Sequence, residues 1–140
     1  MSRIFWDTNL FIYFLEGNDE LSRATKHLRK RMLARGDRLL TSTLTLGEIL
    51  VKPLQVGDGL RCGQYEEAIT NVAILLPFDT KAAWKYAAIR RDRSLRAPDA
   101  VQLACASSAT VDLFVTNDRR LQGKQVEGIQ FIVPLERVPI

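Results

Sequence analysis

Histidine and cysteine are nearly missing from this 140-residue chain: His27 is the lone histidine, and Cys62 and Cys105 are the only cysteines. A zinc site built on thiolates and imidazoles needs about four N/S ligands, more than the chain can gather. A Ser-His-Asp or Cys-His mechanism would have to run through His27. That residue lies in the basic stretch Lys26-His27-Leu28-Arg29-Lys30, where a solvated or half-packed helix position is the simpler reading. Both cysteines fall in helix-like segments, form no C-x-x-C pair, and read as reduced and structural. Neither G-x-x-x-x-G-K nor G-x-G-x-x-G occurs, which removes the phosphate-loop and dinucleotide fingerprints. No run nears the ~18 consecutive apolar residues of a membrane span. The N-terminal stretch Ile4-Phe5-Trp6 is too short for the apolar core of a signal peptide. A cytoplasmic protein with no membrane association is expected. Any catalysis must rest on carboxylates.

With 46% hydrophobic and 26% charged residues, the chain suits a single domain over residues 1–140, large enough to bury its own core. The net charge of +4 hides an uneven distribution. Residues 23–38 hold seven basic residues against Asp37 alone, and residues 81–96 hold six against Asp92 alone. Two basic stretches and an acidic remainder could bring a polyanion to a carboxylate site. Two solvated helix faces would give the same count. Charge becomes informative only if the acids are organised.

Along the chain, short apolar runs alternate with helical patterns. Residues 3–6 form the first run, followed by a brief helical pattern from Leu10 to Leu15. Leu21, Ala24, Leu28 and Met32 recur at three-to-four spacing and predict a helix ending near Gly36. Leu39-Leu40-Thr41 is the second run, with a helix from Ser42-Thr43 to Pro53 after it, and residues 60–71 read as helical. Ala73 to Leu76 is the third run. Helices are expected at 80–94 and 99–108, and the last two runs are Asp112 to Val115 and Gln130 to Val133. Short unalternated runs separated by helices indicate an α/β fold with a parallel sheet covered on both faces. Ligands of such sheets bind outside the carboxyl ends of the strands.

Four acids fall where that rule points. Asp7 follows the first run and Asp118 the fourth; Glu48 lies in the first turns of the helix after the second; Asp99 opens the helix behind Pro98. Each has an ordinary explanation. Asp7 could cap the helix near Asn9, and Thr45-x-x-Glu48 could close a capping box. Asp99 is a favourable charge in a first turn, and Asn117-Asp118 is a common turn pair. Four carboxylates on one rim, however, repel unless a cation joins them: two unit charges ~5 Å apart cost about 3 kcal/mol at an effective dielectric near 20. Such clusters hold hard divalent cations such as Mg²⁺ or Mn²⁺ through oxygen.

Asp7-Thr8-Asn9, Ser42-x-x-Thr45-x-x-Glu48, Pro98-Asp99-Ala100-x-x-Leu103-Ala104-x-Ala106 and Val115-Thr116-Asn117-Asp118, in that order, resemble the PIN domain. More narrowly they resemble single-domain ribonucleases that act as VapC-type toxins in toxin–antitoxin pairs. The resemblance covers residues 3–133. It implies a three-layer α/β/α sandwich around a five-stranded parallel sheet, and Mg²⁺- or Mn²⁺-dependent cleavage of RNA. It also implies a homodimer and a cognate antitoxin. Carried over by position, Asp7 and Asp99 would be the principal metal ligands. Glu48 would ligate or position a second metal or its water, and Asp118 would complete the acidic set. Asn9 and Thr116 would orient those carboxylates, with Ser42 and Thr45 in support. Arg29 and Lys30, and separately Arg90, Arg91 and Arg93, are candidates for RNA phosphate, with solvated surface as the alternative.

The chemistry agrees on its own terms. Hydrolysis of a phosphodiester needs a deprotonated water, an in-line approach and a neutralised leaving oxygen, all of which carboxylate-held metal ions supply without histidine or cysteine. Two other readings stay open. A phosphatase with an aspartyl nucleophile would also place Asp at the end of the first strand, but wants a second acid where Asn9 stands. A PIN-like module could bind RNA or a partner without turnover.

Overall fold

The computed structural model describes residues 1–140. Its elements run β1 (Arg3–Trp6), α1 (Thr8–Leu15), α2 (Glu20–Arg35), β2 (Arg38–Ser42), α3 (Thr43–Gln55), α4 (Gly59–Val72), β3 (Ile74–Leu76), α5 (Thr80–Ile89), α6 (Ala97–Ala109), β4 (Val111–Val115) and β5 (Ile129–Val133). Short 3-10 turns cover Arg119–Leu121 and Leu135–Arg137. The five strands form one sheet in the order β3-β2-β1-β4-β5, every pairing parallel. Those are the five expected strands, each within two residues of its predicted bounds.

Two-residue alternation along each strand divides the interior into two layers of core. Ile4 and Trp6 of β1, Leu39 of β2, and Leu113 and Val115 of β4 face a cluster completed by Leu10, Phe11, Leu28, Met32, Ile49, Tyr65 and Ile69 from α1 to α4. Phe5, Leu40 and Phe114 face the other way, onto Ala82 of α5 and Leu103, Cys105 and Ala106 of α6. The Phe5 and Phe114 rings stack across β1 and β4 at 4.9 Å between centroids. Four helices, the sheet and two helices make the three expected layers. Both faces are covered, so the strands read as apolar runs rather than as an alternation.

Local chemistry sets the helix ends. Asp19 caps α2 by accepting from the Ser22 N–H at 2.9 Å. Gly36 stops it in the left-handed conformation (φ 76°) that a side chain resists. Pro53 lies in the last turn of α3, which runs on to Gln55 rather than ending at the proline. The helix expected to reach residue 94 ends at Ile89. There the Asp92 carboxylate takes the Ser94 N–H (3.0 Å) and hydroxyl (2.6 Å), offering the backbone a turn in place of another helical one. Lys124 and these Ser94 bonds hold the Asp92 carboxyl down at about 2.

The strand order fixes where a ligand can sit. The chain leaves β1 toward β2 on one side, and leaves β4 toward β5 on the other. Between these adjacent strands the connections diverge, opening a crevice at their carboxyl ends. Trp6 pairs with Val115 at that edge, and the Asp7 N–H donates to the Val115 carbonyl at 3.0 Å. Asp7 and Thr116 are therefore neighbours at the mouth of the crevice.

Candidate active site

Asp7 is largely buried at the end of β1. Its Oδ2 accepts the Thr116 hydroxyl at 2.7 Å and its Oδ1 accepts the Thr8 N–H at 2.8 Å, capping α1. The capping and site readings of Asp7 thus coexist. Burial pushes its pKa above the ordinary carboxylate value; the Thr116 and Thr8 bonds pull back, and the charges of Asp99 and Glu48 push up again. Those last two effects mean that Asp7, Asp99 and Glu48 share one electrostatic neighbourhood.

Glu48 does not close a capping box with Thr45. The N-cap of α3 is Ser42, and the exposed Glu48 side chain instead accepts the Thr8 hydroxyl at 2.6 Å. Asp99 sits in the first turn of α6 behind Pro98, its side chain 14% exposed. Its Oδ2 is buried and accepts no hydrogen bond, although guanidinium nitrogens of Arg96 and Arg120 each stand 3.6 Å away. Asp118 caps the 3-10 turn at Arg119–Leu121 and is gripped by Arg120 through both carboxylate oxygens. That grip holds the Asp118 carboxyl below its usual range and raises the Arg120 guanidinium, to which Asp99 and Asp7 also contribute.

The sequence reading expected four mutually repelling acids. In the structure a guanidinium stands among them, and no three carboxylates are gathered tightly enough to enclose an ion. The donor set nonetheless suits Mg²⁺ or Mn²⁺: every available group is oxygen, one carboxylate is largely buried, and another keeps a buried oxygen without a donor. The Cys105 thiol is no competitor, since burial pushes it up to about 11.

Among the supporting residues, Thr116 is the one whose side chain donates to Asp7 Oδ2. Asn9 makes no hydrogen bond to any acid, and its Oδ1 is buried without a partner. Ser42 leaves its helix-capping role and donates to the Gln102 side-chain oxygen. Gln102, Thr8 and Arg120 were not among the sequence candidates. Gln102 carried one signal: it lies three residues after Asp99 on the packed face of α6, where a polar residue must find partners. The basic stretches separate. Arg29 lines a shallow groove with Arg38, Leu39, Ala73 and Ile74, at the strands' amino-terminal edge, and its Nε and Nη1 are unpaired. Lys30 is exposed on the same helix. Arg90, Arg91 and Arg93 are exposed on the turn that leads to Arg96 and Asp99.

Comparisons with known proteins address the whole arrangement. The fold is similar to that of DNA-bound VapBC from Salmonella typhimurium, at 23% identity and a TM-score of 0.74, covering 96% of this chain and 99% of that one. It is similar to VapBC2 from Rickettsia felis bound to a promoter DNA fragment, at 12% identity and a TM-score of 0.75, covering 94% and 98%. A toxin–antitoxin complex from Klebsiella pneumoniae aligns at 21% identity with a TM-score of 0.65, covering 90% and 94%. No curated protein matches the chain. The family model of the PIN domain matches residues 4–126, taking in the crevice between β1 and β4 and all four acids, and the chain belongs to the PIN domain family.

Proposed function

We propose that this chain is a metal-dependent endoribonuclease and the toxin of a toxin–antitoxin pair. The observation that carries the reading is the buried Asp7 carboxylate at the strand-switch crevice, in the field of Asp99 and Glu48. Asp7, Asp99 and Glu48 would hold Mg²⁺ or Mn²⁺, with Asp118 joining once Arg120 lets go. Bound there, the ion would supply Lewis acidity toward phosphate, a water of lowered pKa and charge neutralisation at the leaving oxygen.

The chain's own residues do the rest. Thr116 and the Thr8 N–H favour the ionised form of Asp7 and so oppose the effect of its burial. The Thr8 hydroxyl fixes the Glu48 carboxylate. Arg96 and Arg120 meet the approaching phosphodiester at the rim, where cations raise the local concentration of a polyanion. Similarity to toxin–antitoxin complexes supports a cognate antitoxin as partner, and a homodimer is proposed on the PIN-toxin resemblance alone. An aspartyl phosphatase would need an acid where Asn9 stands.

The deciding assay incubates purified protein with mixed single-stranded RNA. Cleavage with Mn²⁺ or Mg²⁺, abolished by a chelator and by Asp7→Asn, supports the proposal. Cleavage that persists unchanged in excess chelator, or in Asp7→Asn, refutes it.

A further inference from the structure

We propose that Gln102 is a positioning residue that aims the Glu48 carboxylate through Thr8; the inference rests on the metal-site reading above. Gln102 is 2% exposed and joins four elements. Its Nε2 donates to Thr8 Oγ1 at 3.0 Å and to Thr45 Oγ1 at 2.8 Å, and lies 3.4 Å from Asp7 Oδ1. Its Oε1 accepts the Ser42 hydroxyl. Thr41 continues the chain, 2.8 Å from Thr45 Oγ1 and 2.8 Å from the Trp6 carbonyl. Ser42, Thr41 and Thr45 are buried, so water cannot replace a missing partner.

Counting protons gives the network a direction. A threonine hydroxyl has one proton to give, and a primary amide has two. The Trp6 carbonyl can only accept, so the Thr41 proton goes there. The Thr45 proton then goes to Thr41, since Thr45 already accepts from the amide. Thr8 likewise accepts from the amide; its Oγ1 also stands 3.3 Å from Thr45 Oγ1, but its single proton goes outward to Glu48 Oε1, the shorter contact at 2.6 Å and one that can only accept. Turning the amide over would have its oxygen claim the Thr8 proton, and one amide N–H would lose its partner. The observed orientation satisfies every group.

The Thr8 bond is the one hydrogen bond that holds the exposed Glu48 side chain. Gln102 therefore decides, two bonds away, whether that carboxylate faces the crevice or swings free. Since Gln102 shares a helix face with Asp99 and touches the residue after Asp7, one amide ties together the elements bearing three of the acids.

The test is calorimetric Mn²⁺ titration of the whole protein and of Gln102→Met, Gln102→Glu, Thr8→Val, Thr8→Ser and the Gln102→Met/Thr8→Val double variant. Gln102→Met and Thr8→Val should each weaken Mn²⁺ binding by about tenfold or more, the range for losing a residue that orients a ligand. Thr8→Ser, which keeps the hydroxyl, should bind as the wild type does. Gln102→Glu should behave like Gln102→Met, because a carboxyl oxygen facing Thr8 takes its proton from Glu48. The double variant should be no weaker than either single one, since both cut one relay. Multiplying losses, or a Gln102→Met protein that melts lower yet binds Mn²⁺ normally, overturns the proposal. If Gln102→Met does not fold, Thr8→Val against Thr8→Ser tests the same relay, and equal binding by those two refutes it. A wild type that binds no Mn²⁺ refutes the metal reading itself, whereas normal binding in every variant refutes only the role of Gln102.

Discussion

Thr116→Val isolates the bond on which the Asp7 carboxylate depends. Thr116 is fully buried, and its hydroxyl donates to Asp7 Oδ2 at 2.7 Å while accepting the Asp118 N–H at 3.1 Å. Valine keeps the shape and removes both functions. A hydrogen bond to a charged group contributes about 1.5–3 kcal/mol, and valine offers the carboxylate no donor in its place. We expect a loss of about 2 kcal/mol at neutral pH, read in a chain of this length as a melting temperature lower by roughly 6 °C. The loss should depend on pH with a definite sign. Burial raises the pKa of Asp7, and the Thr116 bond lowers it by less. The stability that Thr116 adds is therefore present while Asp7 is ionised and is lost as pH falls through the folded-state pKa. Metal-free melts of wild type and variant from neutral to mildly acidic pH should draw together, toward the smaller cost of a bond to a neutral acceptor. In an Asp7→Asn background, where the acceptor is neutral, the cost should fall to about 1 kcal/mol. A Thr116→Val protein that melts within a degree of wild type at neutral pH, or whose deficit is undiminished in acid, refutes the reasoning.

Asp7→Asn should itself stabilise the metal-free protein at neutral pH. The raised folded-state pKa means that wild type loses stability as pH climbs from the unfolded value of 3.8 through the folded one, a loss asparagine escapes. Melts with and without Mn²⁺ check this, and the variant should show no metal-induced rise. Gly128→Ala should destabilise by about 1–3 kcal/mol in a denaturant titration. Its φ is 90° and an added Cβ would lie 2.5 Å from the Ser107 carbonyl oxygen, so an unchanged midpoint counts against the fold at β5. Reversing Arg90, Arg91 and Arg93 should weaken RNA binding and flatten its salt dependence, whereas reversing Arg29, Lys30 and Arg31 at the far edge should not. Filter binding over a salt series distinguishes the two sets.

The layers were legible because burial on both faces writes a strand as an unbroken apolar run, and five such runs stand between helical spacings. The acids were legible because the strand ends are named by topology. What escaped was the chemistry between them. The count of negative charge at the rim predicted repulsion, but Arg120, two residues past Asp118, answers it with a guanidinium that charge totals over a long stretch average away. Gln102 escaped because hydrophobic periodicity treats a polar residue on a packed face as a flaw in the pattern, whereas here it is a junction with four elements. Asn9 erred in the other direction: its place beside Asp7 suggested a contact that the turn of α1 does not make. Sequence neighbours of an acid need not be its spatial partners.

The sheet order has a consequence for the history of each molecule. β1 is made before β4, yet the two are neighbours at the crevice, and the bond from Thr116 to Asp7 spans 109 residues. Until the chain has been made past Thr116, Asp7 has no donor from that side and Asp118 does not exist. A nascent chain therefore carries Asp7 without its Thr116 donor until β4 is made, with β1 unpaired along that edge. On the nuclease reading, the acidic site cannot be assembled until the chain has been made past Asp118.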